Sequence, residues 1–352
     1  MKKYNVGMIG YGWAAAAHIA AINATKQGQV RAVYSSRPQD AALLTQKHSG
    51  NSAPAIQVYQ DLDQMLADPS LDVVDITSYP SEHRDQAVAA ANAKKHIILE
   101  KPMANSATEV ADIVAAASAN GVMGCVCFEC RFSSQFQSIK AVVDEGLLGQ
   151  LHYGEIDYYH GIGPWYGQFR WNTFKKEGGS ALLTAGCHAL DALLMLMGTE
   201  VESVSSMSTR SQSDIFAPYE YDTSSVTILR FKNGAIGKTA AIVDCLQPYY
   251  FHTHLVGSQG SILDNKFHSQ KLKTDKGHWS ELAMKMLDSG DVSDHPYQSQ
   301  FQAFFDALDA GVEMPLTSFS EAAKTFAIIF AADASAANAG QCVTATSFQK
   351  VT

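Results

Sequence analysis

Residues 4–20 read YNVGMIGYGWAAAAHIA, an apolar run that ends in two glycines and continues into an alanine-rich segment. The spacing of Gly10, Gly12 and Ala15 fits G-x-G-x-x-[G/A], a phosphate-binding turn between a strand and a helix. Gly10 allows the tight turn, Gly12 lets the backbone approach a pyrophosphate, and the small Ala15 lets the helix pack on the sheet. The N–H groups that begin the helix attract the phosphates. This stretch therefore predicts a Rossmann-type unit that binds a dinucleotide.

The chain continues as alternating strands and helices, which predicts a doubly wound parallel sheet with helices on both faces. Strands are expected at residues 4–9, 30–34, 71–77, 96–99 and 123–128, and helices at residues 14–24, 39–48, 82–93 and 106–120. After about residue 150, alternating segments such as SSVTILRF and the Asn233-Gly234 turn predict a mostly antiparallel sheet. Further helices are expected at residues 181–197, 297–310 and 320–337. The fold class is α/β followed by α+β, with domains at 1–123 and 124–352.

Composition narrows the classes of function. A chain of 352 residues exceeds what one core usually organises, which favours two domains. The net charge of -9 argues against a nucleic-acid partner. Glycines interrupt the apolar N-terminus, so it is interpreted as a strand and not a secretion signal, and no apolar run reaches the length of a membrane span.

Three of the six cysteines crowd into CVCFEC at residues 125–130. No second cluster of cysteines or histidines stands at a metal-ligand spacing, so these cysteines are interpreted as small buried residues and no metal is expected. Sparse cysteines favour a reducing cytoplasm.

The end of the second strand bears on the choice of cofactor. An NAD-selective site carries an acidic residue there to bind the ribose 2′-hydroxyl, whereas this chain has Ser35, Ser36 and Arg37 and no acid before Asp40. An arginine flanked by hydroxyls can hold a 2′-phosphate, which favours NADP. Arg37 stacked on the adenine would leave NAD acceptable, so the cofactor is predicted as NAD(P).

Three motifs together resemble the Gfo/Idh/MocA family of sugar and cyclitol oxidoreductases. They are the N-terminal fingerprint, Glu100-Lys101-Pro102 directly after a strand, and GGSALLTAGCHALD at residues 178–191. Weaker matches are His18, Tyr79-Pro80 with His83, Arg131-Phe132 and GSQGSI at residues 257–262. The resemblance implies a second domain with an open-faced sheet, an active site in the cleft between domains, and a homodimer or homotetramer formed through that sheet.

The resemblance also implies catalytic residues. Lys101 would lie near the nicotinamide and the substrate hydroxyl, and His188 would be the acid/base, a task that suits its reference pKa of about 6.5. Family members often carry aspartate where this chain has Thr184, one helical turn before the histidine. Threonine cannot raise the pKa of the histidine as a carboxylate would. Asp191, His160 and Tyr166 therefore remain alternative groups for proton transfer.

The remaining site predictions concern cofactor and substrate contacts. Cofactor contacts are predicted for Gly10, Gly12, Trp13, Ala14, Ala15, Ser35, Ser36, Arg37, Ser78, His83, Glu100 and Lys101. Substrate contacts are predicted for Lys101, Arg131, His160, Trp165, Tyr166, Arg170, Trp171, Thr184 and His188, with His252 and His254 as weaker candidates. The aromatic stretch at residues 158–171 suits a sugar ring, although a packed loop with buried tryptophans explains it as well.

Three functions follow from these residues. The first is an NAD(P)-dependent dehydrogenase acting on a ring hydroxyl of a sugar, glycoside or cyclitol. The second is a glycoside-cleaving enzyme that uses bound NAD as a redox relay, through oxidation and elimination. The third is a non-catalytic regulatory homologue, suggested by Thr184. The expected partner is a small carbohydrate or cyclitol, with neither nucleic acid nor membrane.

Overall fold

The chain forms two units in the computed structural model, which describes residues 2–49, 55–273 and 277–344. The first unit contains Met1–Glu129 and His295–Ala323, and the second contains Cys130–Asp294 and Lys324–Thr352. The predicted division after residue 123 differs from this one, because a late segment returns to the first unit. Phe305 from that segment stacks on Tyr4, and its ring fills the space beside Gly28 that a larger residue would occupy.

The strands and helices are as follows in chain order. The strands are β1 (Tyr4–Ile9), β2 (Gly28–Tyr34), β3 (Gln57–Tyr59), β4 (Val73–Ile76), β5 (His96–Leu99), β6 (Gly124–Val126), β7 (Leu151–Tyr159), β8 (Val201–Thr209), β9 (Ser224–Phe231), β10 (Ile236–Ile242), β11 (Tyr250–Gly257), β12 (Gly260–Leu263), β13 (Lys266–Ser269), β14 (Ser280–Glu281) and β15 (Val343–Thr344). The helices are α1 (Trp13–Ala24), α2 (Ala41–Ser49), α3 (Leu62–Leu66), α4 (Pro80–Asn92), α5 (Ala107–Asn120), α6 (Ser134–Asp144), α7 (Phe169–Asn172), α8 (Lys175–Gly178), α9 (Cys187–Met197), α10 (Tyr297–Ala310) and α11 (Phe319–Ala337).

The sheet of the first unit is parallel, with six strands in the order β3-β2-β1-β4-β5-β6 among the described residues. This confirms the predicted doubly wound sheet. The bounds predicted for β1, β5 and α10 match the structure at both ends. The short β3 and α3 were not predicted, because three and five residues are too few to show a period.

The sheet of the second unit has the order β14-β13-β12-β11-β7-β10-β9-β8-β15 over the part of the chain that the structure describes. Its neighbouring strands are antiparallel except for β10 and β7, which run parallel. One face packs against α9, where Leu193 and Met197 lie directly over Gly154. The opposite side, called the outer face below, carries the side chains that alternate with this packed set, as predicted for an antiparallel sheet with helices.

The apolar helix predicted at residues 181–197 is divided. A π-helical turn, Leu182–Gly186, precedes α9, and both segments are buried. Among the described residues, Lys175–Met197 is long and apolar enough to pass a composition test for a membrane span, but 83% of its most apolar window is buried within the protein. The segment is therefore a core element of the second unit.

Candidate functional site

The glycine turn leaves no room for a side chain at its first position. Gly10 has φ +92°, and a Cβ atom there would lie 3.0 Å from the backbone nitrogen of Ser78. Helix α1 begins at Trp13, and its N-cap residue, Gly12, brings no side chain over the first turn. Ala15 is fully buried against the sheet. The backbone N–H groups at the start of α1 thus face outward from a small cradle, an arrangement that fits the phosphates of a dinucleotide.

The loop after β2 contains Ser35, Ser36 and Arg37, the predicted contacts of the adenosine ribose. The buried Ser35 Oγ accepts a hydrogen bond from the backbone N–H of Arg37 at 3.2 Å, while the Arg37 side chain is exposed. The next acid, Asp40, caps α2 by accepting from the N–H groups of Ala42 and Leu43 at 2.8 and 3.1 Å. Because this carboxylate serves the helix, it does not replace the acid that an NAD-selective site carries.

The loops after β4 and β5 are tied together by His83. Its Nδ1 lies 2.8 Å from the carbonyl oxygen of Pro102, and its Nε2 lies 3.4 Å from that of Ser78. His83, whose predicted cofactor contact stays a prediction, is buried beneath these loops. Its role in the structure is to hold the backbone on which Ser78 and Lys101 lie.

Glu100 was also predicted to contact the cofactor, and that contact stays a prediction. Its carboxylate points into the unit, where Oε1 lies 3.0 Å from His18 Nε2 and accepts a hydrogen bond from the Tyr297 hydroxyl at 3.0 Å. His18 Nδ1 lies 2.9 Å from Asp75 Oδ2. The other oxygen of Glu100 accepts from the backbone N–H of Lys101 at 2.8 Å. These four residues, His18, Asp75, Glu100 and Tyr297, form the Glu100 cluster.

Within the Glu100 cluster, electrostatics favour the charged forms of His18 and Glu100. Burial opposes a charge on His18, but the charge and hydrogen bond of Asp75, together with Glu100, raise the pKa of His18 to about 10. Burial alone would raise the pKa of Glu100, yet its hydrogen bond to His18 and the charge of His18 bring it below its ordinary value. His18 is therefore held as an imidazolium beside the Glu100 carboxylate, directly beneath the backbone of Lys101, while burial raises the pKa of Asp75, its other partner, above the ordinary value.

In the second unit, Thr184 and His188 lie on the divided helix. Thr184 is in the π-helical turn and His188 is in the first turn of α9, so they are not separated by one ordinary α-helical turn as predicted. The Thr184 hydroxyl donates to Asn172 Oδ1 at 2.6 Å, and the backbone oxygen of Asn172 accepts from the Tyr221 hydroxyl at 2.7 Å. Thr184 and His188 are both buried. Thr184 thus joins the helix to α7 through a neutral hydrogen bond.

Arg131 and Asp191 bind each other. Arg131 Nε and Nη2 donate to the two carboxylate oxygens of Asp191 at 2.5 and 2.7 Å, and the Thr325 hydroxyl donates to Asp191 at 2.8 Å. All three side chains are buried. This bidentate pair joins Arg131 to α9, and the predictions of Arg131 as a substrate contact and of Asp191 as an alternative acid/base stay predictions.

The aromatic stretch divides into packed and exposed residues. His160 is buried, with Nδ1 2.9 Å from the Tyr158 hydroxyl, and the Tyr166 hydroxyl donates to the carbonyl oxygen of Gly290 at 2.9 Å. Trp165 is 61% exposed, although its Nε1–H donates to the Gly161 carbonyl at 2.9 Å. Arg170 is exposed as well. Part of this stretch is therefore a packed loop and part is surface. The exposed Trp165 and Arg170 can contact a ligand.

The remaining candidates are two histidines of β11 and two cysteines at β6. His252 and His254 lie on the outer face, on the side of the sheet away from α9 and His188. Cys125 and Cys127 are buried in and next to β6, and burial raises the pKa of both thiols well above the usual range. This agrees with their interpretation as small buried residues.

The cradle, the parallel sheet and the lysine after β5 define an oxidoreductase that binds a dinucleotide. Residues 4–128 match the family model described as the oxidoreductase family with an NAD-binding Rossmann fold, and residues 136–263 match the GFO/IDH/MocA C-terminal domain. The chain belongs to the Gfo/Idh/MocA family of NAD(P)-dependent oxidoreductases.

The chain is similar in sequence to several named oxidoreductases. YrbE of Bacillus subtilis, described as an uncharacterized oxidoreductase, is 26% identical over 325 residues, which are 90% of this chain and 89% of YrbE. Levoglucosan dehydrogenase of Pseudarthrobacter phenanthrenivorans is 27% identical over 75% of this chain and 74% of its own. Myo-inositol 2-dehydrogenase of Thermotoga maritima is 28% identical, over 62% of this chain and 64% of its own.

Solved structures agree with the fold. A levoglucosan dehydrogenase in complex with NADH and levoglucosan has a TM-score of 0.80 at 23% identity, covering 98% of this chain and 99% of that one. A probable dehydrogenase from Thermotoga maritima has a TM-score of 0.80 at 21% identity, covering 99% and 100%. At these identities the likeness confirms the predicted fold class.

Proposed function

We propose that this protein transfers a hydride between a ring hydroxyl or ketone of a sugar, glycoside or cyclitol and NAD(P). The observation that carries the proposal is the placement of Lys101. The carboxyl ends of β1, β4 and β5 meet at one edge of the parallel sheet, where such folds bind their ligands, and Lys101 follows β5 at that edge. The names of the levoglucosan and inositol dehydrogenases among the relatives support the class of substrate.

Different residues of the chain would bind different parts of the cofactor. The glycine turn and the start of α1, including Trp13, Ala14 and Ala15, would hold the pyrophosphate. Ser35, Ser36 and Arg37 would hold the adenosine ribose, and Ser78 would lie near the nicotinamide. When bound, NAD(P)⁺ supplies an acceptor for the hydride that leaves the carbinol carbon.

Lys101 and His188 would handle the proton and the charge. Oxidation of an alcohol requires a base for the hydroxyl proton and stabilisation of the alkoxide that develops. We assign the base to His188 and the stabilising cation to Lys101, whose backbone is held by Glu100. Thr184 would position the turn before His188 through Asn172. Trp165, Arg170 and Trp171 would contact the sugar, with His160 and Tyr166 packed behind them.

The two rival functions are not favoured. Among the relatives reported above, each one whose name states a substrate is a dehydrogenase. The neutral Thr184 does not argue for a regulatory protein, because His188 and Lys101 both occupy positions that the family motif predicts. Release of an aglycone with no net change in cofactor would favour glycoside cleavage instead.

Substitution of Lys101 tests the proposal. A panel of inositols, anhydrosugars, monosaccharides and glycosides is assayed by cofactor absorbance with NAD⁺ and NADP⁺. Lys101→Met is expected to lower kcat about 10²–10³-fold, because it removes a positioned cation, whereas Lys140→Met, on an exposed ion pair, leaves kcat unchanged. Cofactor affinity is measured separately by calorimetry. Turnover that survives Lys101→Met, or no turnover on the whole panel despite cofactor binding, would contradict the proposal.

We propose further that NADP is preferred, because Arg37 is exposed next to Ser35 and Asp40 is engaged at α2. Arg37→Ala is expected to weaken NADP⁺ binding about tenfold, as the loss of a charge-assisted hydrogen bond does, and to change NAD⁺ binding little. Calorimetric titration with both cofactors checks this, with Lys26→Ala as a control for the loss of an exposed positive charge. Equal weakening of both cofactors would mean that Arg37 contacts the adenine and not a 2′-phosphate.

The assembly is proposed to be a homodimer or homotetramer formed through the outer face. Met207, Val226 and Ile228 lie side by side on β8 and β9 and are 68%, 41% and 52% exposed, an apolar patch of the kind that a second copy covers. We also propose a cytoplasmic location, which the low number of cysteines, six in 352 residues, supports.

A further inference from the structure

Two histidines and a carboxylate meet on the outer face, on β7 and β11, which β10 separates from the apolar patch on β8 and β9. Strand β11 pairs antiparallel with β7, so that His254 lies opposite Glu155 and His252 lies opposite Asp157. Side chains two residues apart on a strand share a face. One ligand atom from each of Glu155, His252 and His254 lies within 4.8 Å of the others.

His252 is oriented by a carboxylate behind it. Its Nδ1 lies 3.2 Å from Asp264 Oδ1. Asp264 is held in turn, since it accepts from the Tyr250 hydroxyl at 2.7 Å and from the backbone N–H of Thr253 at 2.9 Å. Histidines that bind metals are commonly oriented in this way by a carboxylate on the second ring nitrogen, which fixes the tautomer and the direction of the ring. His252 therefore has the supporting contacts of a ligand.

The charge around these side chains favours a cation. Lys238 Nζ lies 2.6 Å from Glu155 Oε1 and 2.6 Å from Asp157 Oδ2. Asp264, which lies beside His252, adds a third carboxylate to these two, so the group keeps an excess of negative charge while the histidines are neutral. In the single chain, 24% of Lys238 and 18% of Glu155 is exposed, so an ion can reach these side chains before a second copy covers the outer face.

We propose that Glu155, His252 and His254 bind a divalent transition-metal ion of the zinc type, with Asp264 orienting His252. Two imidazoles and one carboxylate suit zinc, whereas magnesium and calcium prefer oxygen ligands throughout. Zinc holds its ligands at about 2.0–2.2 Å, so small side-chain rotations bring the three groups together, and water takes the remaining position. The site uses no residue assigned to hydride transfer and stands independently of the proposed function.

The sequence by itself did not predict this site. His252 and His254 were weak candidates for substrate contacts. No metal was expected, because no second cluster of cysteines or histidines stands at a metal-ligand spacing in the sequence. Glu155 joins them through the pairing of β7 with β11, across about a hundred residues of sequence. The pairing of strands therefore creates the ligand set.

The test is titration of the full chain, freed of metal by a chelator, with Zn²⁺ by calorimetry and with Co²⁺ by visible absorption. We expect one Zn²⁺ to bind per chain and Co²⁺ to give the bands of a tetrahedral site. His252→Ala/His254→Ala should weaken Zn²⁺ binding at least tenfold, and Asp264→Asn about 10–100-fold, as the loss of an orienting partner does. His268→Ala removes a histidine of β13 outside the cluster and should leave binding unchanged.

Circular dichroism without metal shows whether each variant folds. If the double variant does not fold, Glu155→Gln and His254→Gln, which preserve side-chain size, give the same comparison. Lys238→Met should strengthen Zn²⁺ binding, because it removes the ammonium that competes for Glu155. The absence of stoichiometric binding in the wild type, or affinity retained in the double variant or in the Gln variants, would overturn the proposal.

Discussion

The Glu100 cluster and the polar group around Lys238 on the outer face contain similar chemistry in different surroundings. Each brings carboxylates and basic side chains within about 3 Å of one another. The side chains of His18 and Asp75 are fully buried, whereas a quarter of Lys238 reaches solvent. A buried ion cluster has one arrangement and is costly to break, while a partly exposed one can exchange its partners. The first suits positioning and the second suits binding.

The largest effect is expected from breaking the buried cluster. His18→Leu leaves two carboxylates buried without their cation, so the free energy of unfolding should fall by about 3–5 kcal/mol. Denaturant unfolding followed by circular dichroism measures it. His152→Leu, at an exposed position of β7, is the matched control and should change stability by no more than about 0.5 kcal/mol. Equal losses of unfolding free energy in the two variants would show that the Glu100 cluster contributes no more to stability than an exposed histidine does.

The pH dependence of stability tests the charge on His18. The folded pKa of about 10 lies above the ordinary 6.5, so the stabilisation is complete below pH 6.5 and is lost as pH rises through 10. The difference in unfolding free energy between wild type and His18→Gln should therefore shrink over this range. Denaturant titrations at several pH values give the difference directly. A constant difference would mean that His18 is neutral in the folded protein.

The smallest effect on stability is expected from a substitution on the outer face. Its main effect should be on assembly. Ile228→Glu replaces a half-exposed side chain, so its direct effect on packing should stay within about 0.5 kcal/mol, but it places a charge in the proposed interface. Light scattering coupled to size-exclusion chromatography should then show a lower mass. Leu43→Glu, on an exposed apolar residue of α2 in the first unit, should leave the mass unchanged. A mass unaffected by Ile228→Glu would place the interface elsewhere.

Whether a prediction matched the structure depends on how far apart in sequence the residues concerned are. The glycine turn, β1, β5 and the placement of Lys101 after a strand depend on residues close together in sequence, and the structure matches them. Glu100, His83 and Arg131 were predicted to contact ligands because they accompany such motifs, and in the structure their side chains also bind other residues of the protein. Nothing near Glu100 in the sequence indicates that His18 and Tyr297 will reach it.

The sequence by itself determined the dinucleotide turn, the order of the longer strands and helices in the first unit, and the family. These depend on backbone conformation and local periodicity, which neighbouring residues set. Only the tertiary structure decided which polar side chains are buried and with which partners. The bonds of the Glu100 cluster join residues 57, 82 and 197 positions apart, and the outer-face histidines meet Glu155 only when β11 pairs with β7. Burial and ion pairing result from packing between distant segments, so the same residue types serve as anchors in one place and as ligands in another.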